Sequence, residues 1–282
     1  MKMPSQKKPL NKIIIFVLAG LIVFQAVSIG ILLLKNMHLE KAIAKKRTAK
    51  AAFYKKVPVP VRAKGRVAIV LDDWGYNKKN VQALLEISQP VTVAVLPNLP
   101  FSKIVAVNAN ANNIEVILHL PLEAHDSNKR PEKGVIKTDM STKEVLERLQ
   151  SALDSVPYVK GVSNHMGSKA TEDEKLMKLL FVQFKKKNLY FLDSLVTTSS
   201  ICGKTAAEAG IKFTERSVFL DNENRPEYIA AQLRQAIALA KEKSAVVAIG
   251  HDRALTIKTI KNILPEFQRE GVKLVYLSEV VK

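Results

Sequence analysis

Eight short β-branched runs, separated by stretches of helical periodicity, constrain this chain more than any other feature. They are Val67–Leu71, Val91–Leu96, Glu115–Leu120, Gly161–Asn164, Leu189–Leu192, Ser217–Leu220, Ala245–Gly250 and Val272–Leu277. Strands that alternate with helices are the signature of parallel βα units. The segments between them carry helix starts. Ser141 with Glu144, and Thr171 with Glu174, have capping-box spacing, and Asn224 before Pro226 suits the opening of a helix over 227–243. The pattern predicts an α/β fold: a distorted or incomplete (β/α) barrel of seven to eight parallel strands over residues 63–282. An open doubly wound sheet is the architectural alternative.

The residues at the end of each run are as informative as the run itself. The first ends in Asp72-Asp73, the third carries His119, and the fourth runs into Asn164-His165. The fifth gives Asp193-Ser194, the sixth Asp221-Asn222 and the seventh His251-Asp252. In parallel barrels the C-terminal strand ends converge on one face, where sites are built. Residues far apart in sequence become neighbours there. The single cysteine, Cys202, excludes an intrachain disulfide and any multi-thiolate metal site, and its apolar flanks suit a buried thiol.

The formal charge of +18 suggests nucleic acid until its distribution is considered. Residues 1–62 hold 13 Lys/Arg against one acid, Glu40, and the remaining 220 residues carry only +6. The excess flanks Ile13–Leu34, a run of 22 residues without a charge. As a helix it would span about 33 Å, enough for a bilayer core of about 30 Å. Basic residues beside such a segment point to anionic lipid headgroups rather than nucleic acid. The expected layout is a basic arm (1–12), a transmembrane signal anchor (13–34), a basic stalk ending in Val57-Pro58-Val59-Pro60 (35–62) and the barrel (63–282). Both flanks are basic, so the positive-inside rule gives no clean orientation; the short leading arm favours a cytoplasmic N-terminus. The barrel is then expected on the periplasmic or extracellular side of a bacterial inner membrane, crossed once.

The strand-end motifs resemble the divergent polysaccharide deacetylase family. They are Val70-Leu71-Asp72-Asp73-Trp74-Gly75, Leu118-His119-Leu120-Pro121-Leu122-Glu123 and Asn164-His165-Met166-Gly167-Ser168, with Phe191-Leu192-Asp193-Ser194, Val218-Phe219-Leu220-Asp221 and Ile249-Gly250-His251. The resemblance covers Lys64 to Lys282 in order. It implies a NodB-like deacetylase barrel, carbohydrate metabolism, a glycan as substrate or ligand, and a divalent metal, zinc first. Carried across, it makes Asp72 the base, Asp73 a metal ligand, His119 and His165 the remaining ligands, and His251 the acid. The sequence departs from the family in three places. The usual pair of histidines four apart is missing: four residues after His119 stands Glu123, and four after His165 stands Lys169. Asp252 replaces a proline after the last histidine, and Leu122 replaces a methionine.

Each of these residues also has a plainer reading. Asp72-Asp73 could cap a helix, and both aspartates can share one site only if the chain turns there, since successive residues on a strand point to opposite sides. His119 and His165 could be satisfied core histidines. Asn164 and Ser168 belong to a candidate site loop. Asp193 and Asp221 either orient histidines or cap helices. Trp74 either stacks on a sugar ring or packs in the core. Two functions are compatible with this pattern. One is a metal-dependent carbohydrate esterase that removes acetyl groups from an envelope glycan. The other is a non-catalytic glycan-binding or scaffold protein that keeps the barrel, favoured by the missing histidine pair.

Overall fold

The computed structural model describes residues 65–126 and 134–282. The expected arm, membrane segment and stalk lie outside the described residues. Among the described residues no helix is long and apolar enough to cross a membrane.

The barrel unit contains β1 (Gly65–Trp74), α1 (Val81–Leu85), β2 (Thr92–Val95), α2 (Ser102–Ala111), β3 (Glu115–Leu122), α3 (Thr142–Ser155) and β4 (Val159–Met166). It continues with α4 (Glu174–Lys186), β5 (Tyr190–Asp193), α5 (Cys202–Ala209), β6 (Phe213–Glu215) and β7 (Val218–Phe219). Last come α6 (Pro226–Lys243), β8 (Ala245–His251), α7 (Ala254–Arg269) and β9 (Val272–Val275). Every pairing is parallel, in the order β6-β5-β4-β3-β2-β1-β8-β7. β9 lies beside the first half of β1, pairing Gly65–Ala68 with Val272–Val275.

That path curls into a barrel with one seam. Its two ends, β6 and β7, are joined by Arg216 and Ser217 alone, so they lie within about 10 Å of each other. The Arg216 N–H donates to Asp193 O of β5, and the Ser217 N–H donates to Val247 O of β8. Consecutive residues therefore bridge the two sides of the gap, although no ladder closes it. The doubly wound alternative is set aside by this closure.

Two apolar layers arise from the alternation of side chains along each strand. Val67, Ile69 and Leu71 of β1 face outward into the larger core, under the helices. Ala68 and Val70 face inward, with Ala94, Ile117, Leu192, Val247 and Ile249 from the other strands. The bottom of this interior is filled by Val275, Leu277 and Val280 from the last residues of the chain. The barrel is a packed core, and a ligand can reach only its outer faces.

The helix starts are partly as expected. Ser141 and Glu144 form the capping box of α3, and Pro226 opens α6. Thr171 does not cap α4: Asp173 does, accepting the Leu176 N–H, while Thr171 sits in the 3₁₀ turn before it. Lys185 and Lys186 close α4, where positive charge suits the helix dipole. Cys202 is fully buried, and burial pushes its thiol well above the usual value, so it is an inert core residue. The short strand β6 has no counterpart among the eight runs read from the sequence.

Candidate metal centre

The inward alternation on four strands continues to their C-terminal ends and there becomes polar. After Ala68 and Val70 comes Asp72; after Ile117 comes His119; after Val247 and Ile249 comes His251. On β4 the same line gives Ser163 and His165, level with His119 and Pro121 of β3. Asp72 is level with His251. The site is thus the top layer of the barrel interior.

Asp73 joins it through a β-bulge. Leu71 pairs with Val93 and Trp74 with Val95, so Asp72 and Asp73 together oppose Ala94. Asp73 takes a left-handed φ of 65°. The extra residue lets both carboxylates face the site. It also turns Trp74 outward, where it is fully buried among the residues under the helices. Trp74 cannot stack on a sugar; of the two readings open for it, the core one holds.

Asp73 Oδ1 stands 3.1 Å from His165 Nδ1 and 3.4 Å from His119 Nε2, and those two nitrogens are 3.2 Å apart. Four donors at 2.0–2.2 Å around a tetrahedral zinc would stand about 3.4 Å from one another. Asp73 Oδ1 is buried and accepts no aligned hydrogen bond despite its close neighbours. Donor atoms that converge in this way suit a divalent cation, and these three residues form the one such cluster among the described residues. His119 Nδ1 lies 2.8 Å from Ser163 Oγ; a proton on Nδ1 donates there and leaves Nε2 bare toward the other two donors. Burial alone would raise the Asp73 carboxyl, but the two imidazoles outweigh it and hold the group far below the usual range.

Asp72 flanks this cluster, with Oδ2 3.6 Å from His119 Nε2 and Oδ1 buried without a partner. Burial pushes its pKa up, opposed by His119 and assisted by Asp73. His251 Nε2 is 3.8 Å from Asp73 Oδ2. Its Nδ1 is 2.8 Å from Asp221 Oδ1, and its backbone N–H donates to Asp221 Oδ2 at 2.9 Å. Burial alone would lower the His251 pKa; Asp221 outweighs that and raises it.

The remaining expectations divide. Asp221 orients a histidine, whereas Asp193 does not: its carboxylate accepts from Leu195 N–H and Ser200 O–H and shapes the turn after β5. Asn164 accepts the Ser194 N–H and donates to Met166 O, so it builds the loop without facing the cluster. Ser168 accepts the His125 N–H. The strand-end rule missed Ser163 and Arg216. Arg216 donates to Ser194 O and Leu195 O, lies over the Phe219 ring, and carries its charge toward Asp193 and Asp72. Phe219 in turn packs against the His251 ring. No spacing rule identifies Ser163, but its inward position one strand from His119 would have.

Two proteins of no assigned function are similar in sequence. YibQ of Escherichia coli K12 is 36% identical over 73% of this chain, which spans 64% of YibQ's length. A protein of Haemophilus influenzae KW20 is 32% identical over 78% of this chain and 79% of its own. The solved structure of ATU2773 from Agrobacterium tumefaciens C58 superposes with a TM-score of 0.74, covering 79% of this chain and 91% of that one at 21% identity, which speaks for the fold alone. The sequence profile of the divergent polysaccharide deacetylases matches residues 69–281, and with these relatives it shows that this chain belongs to that family.

Proposed function

We propose that the protein is a membrane-anchored, zinc-dependent carbohydrate esterase that removes acetyl groups from a cell-envelope polysaccharide. The observation that carries this reading is the convergence of Asp73 Oδ1, His119 Nε2 and His165 Nδ1, with the unpartnered Asp72 Oδ1 and the Asp221–His251 pair beside them. The two histidines bring their ring nitrogens within 3.2 Å of each other although they come from different strands. The ground for a purely glycan-binding role is weaker for it.

Asp73, His119 and His165 would hold the ion. A divalent ion bound there supplies Lewis acidity toward the acetyl carbonyl and lowers the pKa of water. Asp72 takes a proton from the attacking water at Oδ1, the one site atom that is buried, unpartnered and outside the donor triad. His251 protonates the departing nitrogen or oxygen, and Asp221 keeps its ring oriented and charged. With the interior packed below, a polysaccharide approaches this face from outside.

The anchor is the uncharged run Ile13–Leu34, crossing a bacterial inner membrane once, and the short basic leading arm favours a cytoplasmic N-terminus with the barrel on the periplasmic or extracellular side. For the chemistry, the full-length protein is loaded with zinc and assayed for acetate release from acetylated chitooligosaccharides and peptidoglycan. Asp72→Asn should lose at least about a hundredfold in kcat, the usual weight of a general base, with metal content unchanged. A folded, zinc-loaded wild type that releases no acetate across both classes of glycan would defeat the esterase reading in favour of a binding protein.

A further inference from the structure

In a pair of histidines four apart, one element's periodicity fixes the distance between the two ligands. Here His119 and His165 come from separate strands, so something else must set it. The ladder between β3 and β4 does this up to Leu122↔Met166, only one residue beyond His165. The chain then leaves the sheet through Met166 at φ 54° and Gly167 at φ 96°. A left-handed non-glycine residue persists only where its surroundings hold it.

Glu123 and Lys169, which stand four residues after His119 and four after His165, hold it. The Glu123 carbonyl accepts the N–H groups of Lys169 and Ala170 at 3.1 and 3.0 Å. Its carboxylate Oε1 accepts from Lys169 Nζ at 2.9 Å. Oε2 accepts both the N–H and the O–H of Thr138 at 2.8 Å, and the Glu123 N–H donates to Ile136 O. One residue thereby ties the end of the strand carrying His119 to the turn after His165 and to a third segment. The Glu123 side chain is only 14% exposed. Burial works against its charge, but Thr138 and Lys169 outweigh burial and hold the carboxyl below its usual range.

We infer that the Glu123–Lys169 pair is a positioning device for the metal centre: it holds the turn where the β3–β4 ladder ends, and through it the placement of His165 against His119, although neither residue is one of the donors. The inference rests on the metal reading proposed for this site. The plain alternative is a salt bridge that merely joins two loops, and such half-exposed pairs contribute little to stability.

The test titrates the metal-stripped, full-length protein with Co²⁺, followed by the visible absorption of the bound ion, beside thermal unfolding of the same apo samples. Lys169→Met should weaken Co²⁺ binding by about 10–100-fold, the range for lost outer partners of metal ligands, and change the shape of the absorption band. Its apo melting temperature should stay close to wild type. Lys169→Arg, which keeps the charge, should recover most of the affinity and the wild-type band. Wild-type affinity and spectrum in Lys169→Met would overturn the inference and leave the metal reading standing, as would an Arg variant as impaired as the Met one. Failure of the wild type itself to bind Co²⁺ would overturn both.

Discussion

Asp221 meets His251 through both carboxylate oxygens, and its Oδ2 also accepts the Thr256 hydroxyl at 2.7 Å. It is fully buried, so its charge is poorly screened and acts mainly on the imidazole. The consequence is a pH prediction. His251 has a raised pKa, so its share of stability is complete below about 6.5 and lost as pH rises through the raised value. Asp221 has a lowered pKa, so its share is present above about 3.9 and lost as pH falls through the lowered value. If His251 is the acid, as proposed, it must stay protonated, which would place the alkaline limb of the rate profile above the ordinary histidine range. Asp221→Asn leaves the shape and removes the charge; that limb should fall, since burial is then opposed only by Asp73 and Asp72. A pH profile of kcat/KM for both proteins checks it, and an unmoved limb would assign the acid to another group. The sequence exposed Asp221 and His251 because both end strands. It hid Ser163 and Arg216, whose roles depend on which strand lies alongside and which carbonyls a loop presents.

Among the elements, the strand ends were legible because burial on both faces forces apolar runs and the change to polar residues is abrupt. The bulge at Asp72–Asp73 was legible only as a requirement, that both aspartates share a site; the register against β2 that creates it is a tertiary fact. The direction of Trp74 results from that bulge and was equally out of reach. β6 is three residues long, too short for any periodicity to show. Pairing between β4 and β5 depends on another local fact. Gly161 pairs with Tyr190, and a Cβ on Gly161 would lie 2.3 Å from the Tyr190 ring. That ring cannot easily retreat, being nearly buried with its O–H donating to Glu115 Oε1 at 2.9 Å. Gly161→Ala should therefore destabilise by about 1–3 kcal/mol through overpacking, read by urea unfolding. Pairing it with Tyr190→Leu should return part of the loss; a double variant no better than the sum of the two would place the cost in the backbone instead.

At the scale of the molecule the barrel has two poles, and the candidate metal centre occupies one of them. The other is sealed by the last residues of the chain, which no motif announced. Leu277 and Val280 fill the interior, the Leu277 N–H donates to Thr92 Oγ1, and the Ser278 N–H donates to Glu115 Oε1. Phe213 of β6 and Lys282 exchange backbone hydrogen bonds, so the tail also covers part of the seam that the sheet leaves open. Between this plug and the donor cluster lie the inward apolar residues of five strands, a close-packed layer. Damage at the sealed pole should therefore lower global stability without reshaping the site. Leu277→Ala empties a fully buried position and should cost about 2–5 kcal/mol, a large share of what holds a domain of this size together. Well below its lowered melting temperature, the variant should match the wild type in its affinity for added zinc. A loss of zinc affinity in the still-folded variant would mean that the two poles are coupled, and that the packing of the interior, rather than the strand ends alone, sets the geometry of Asp73, His119 and His165.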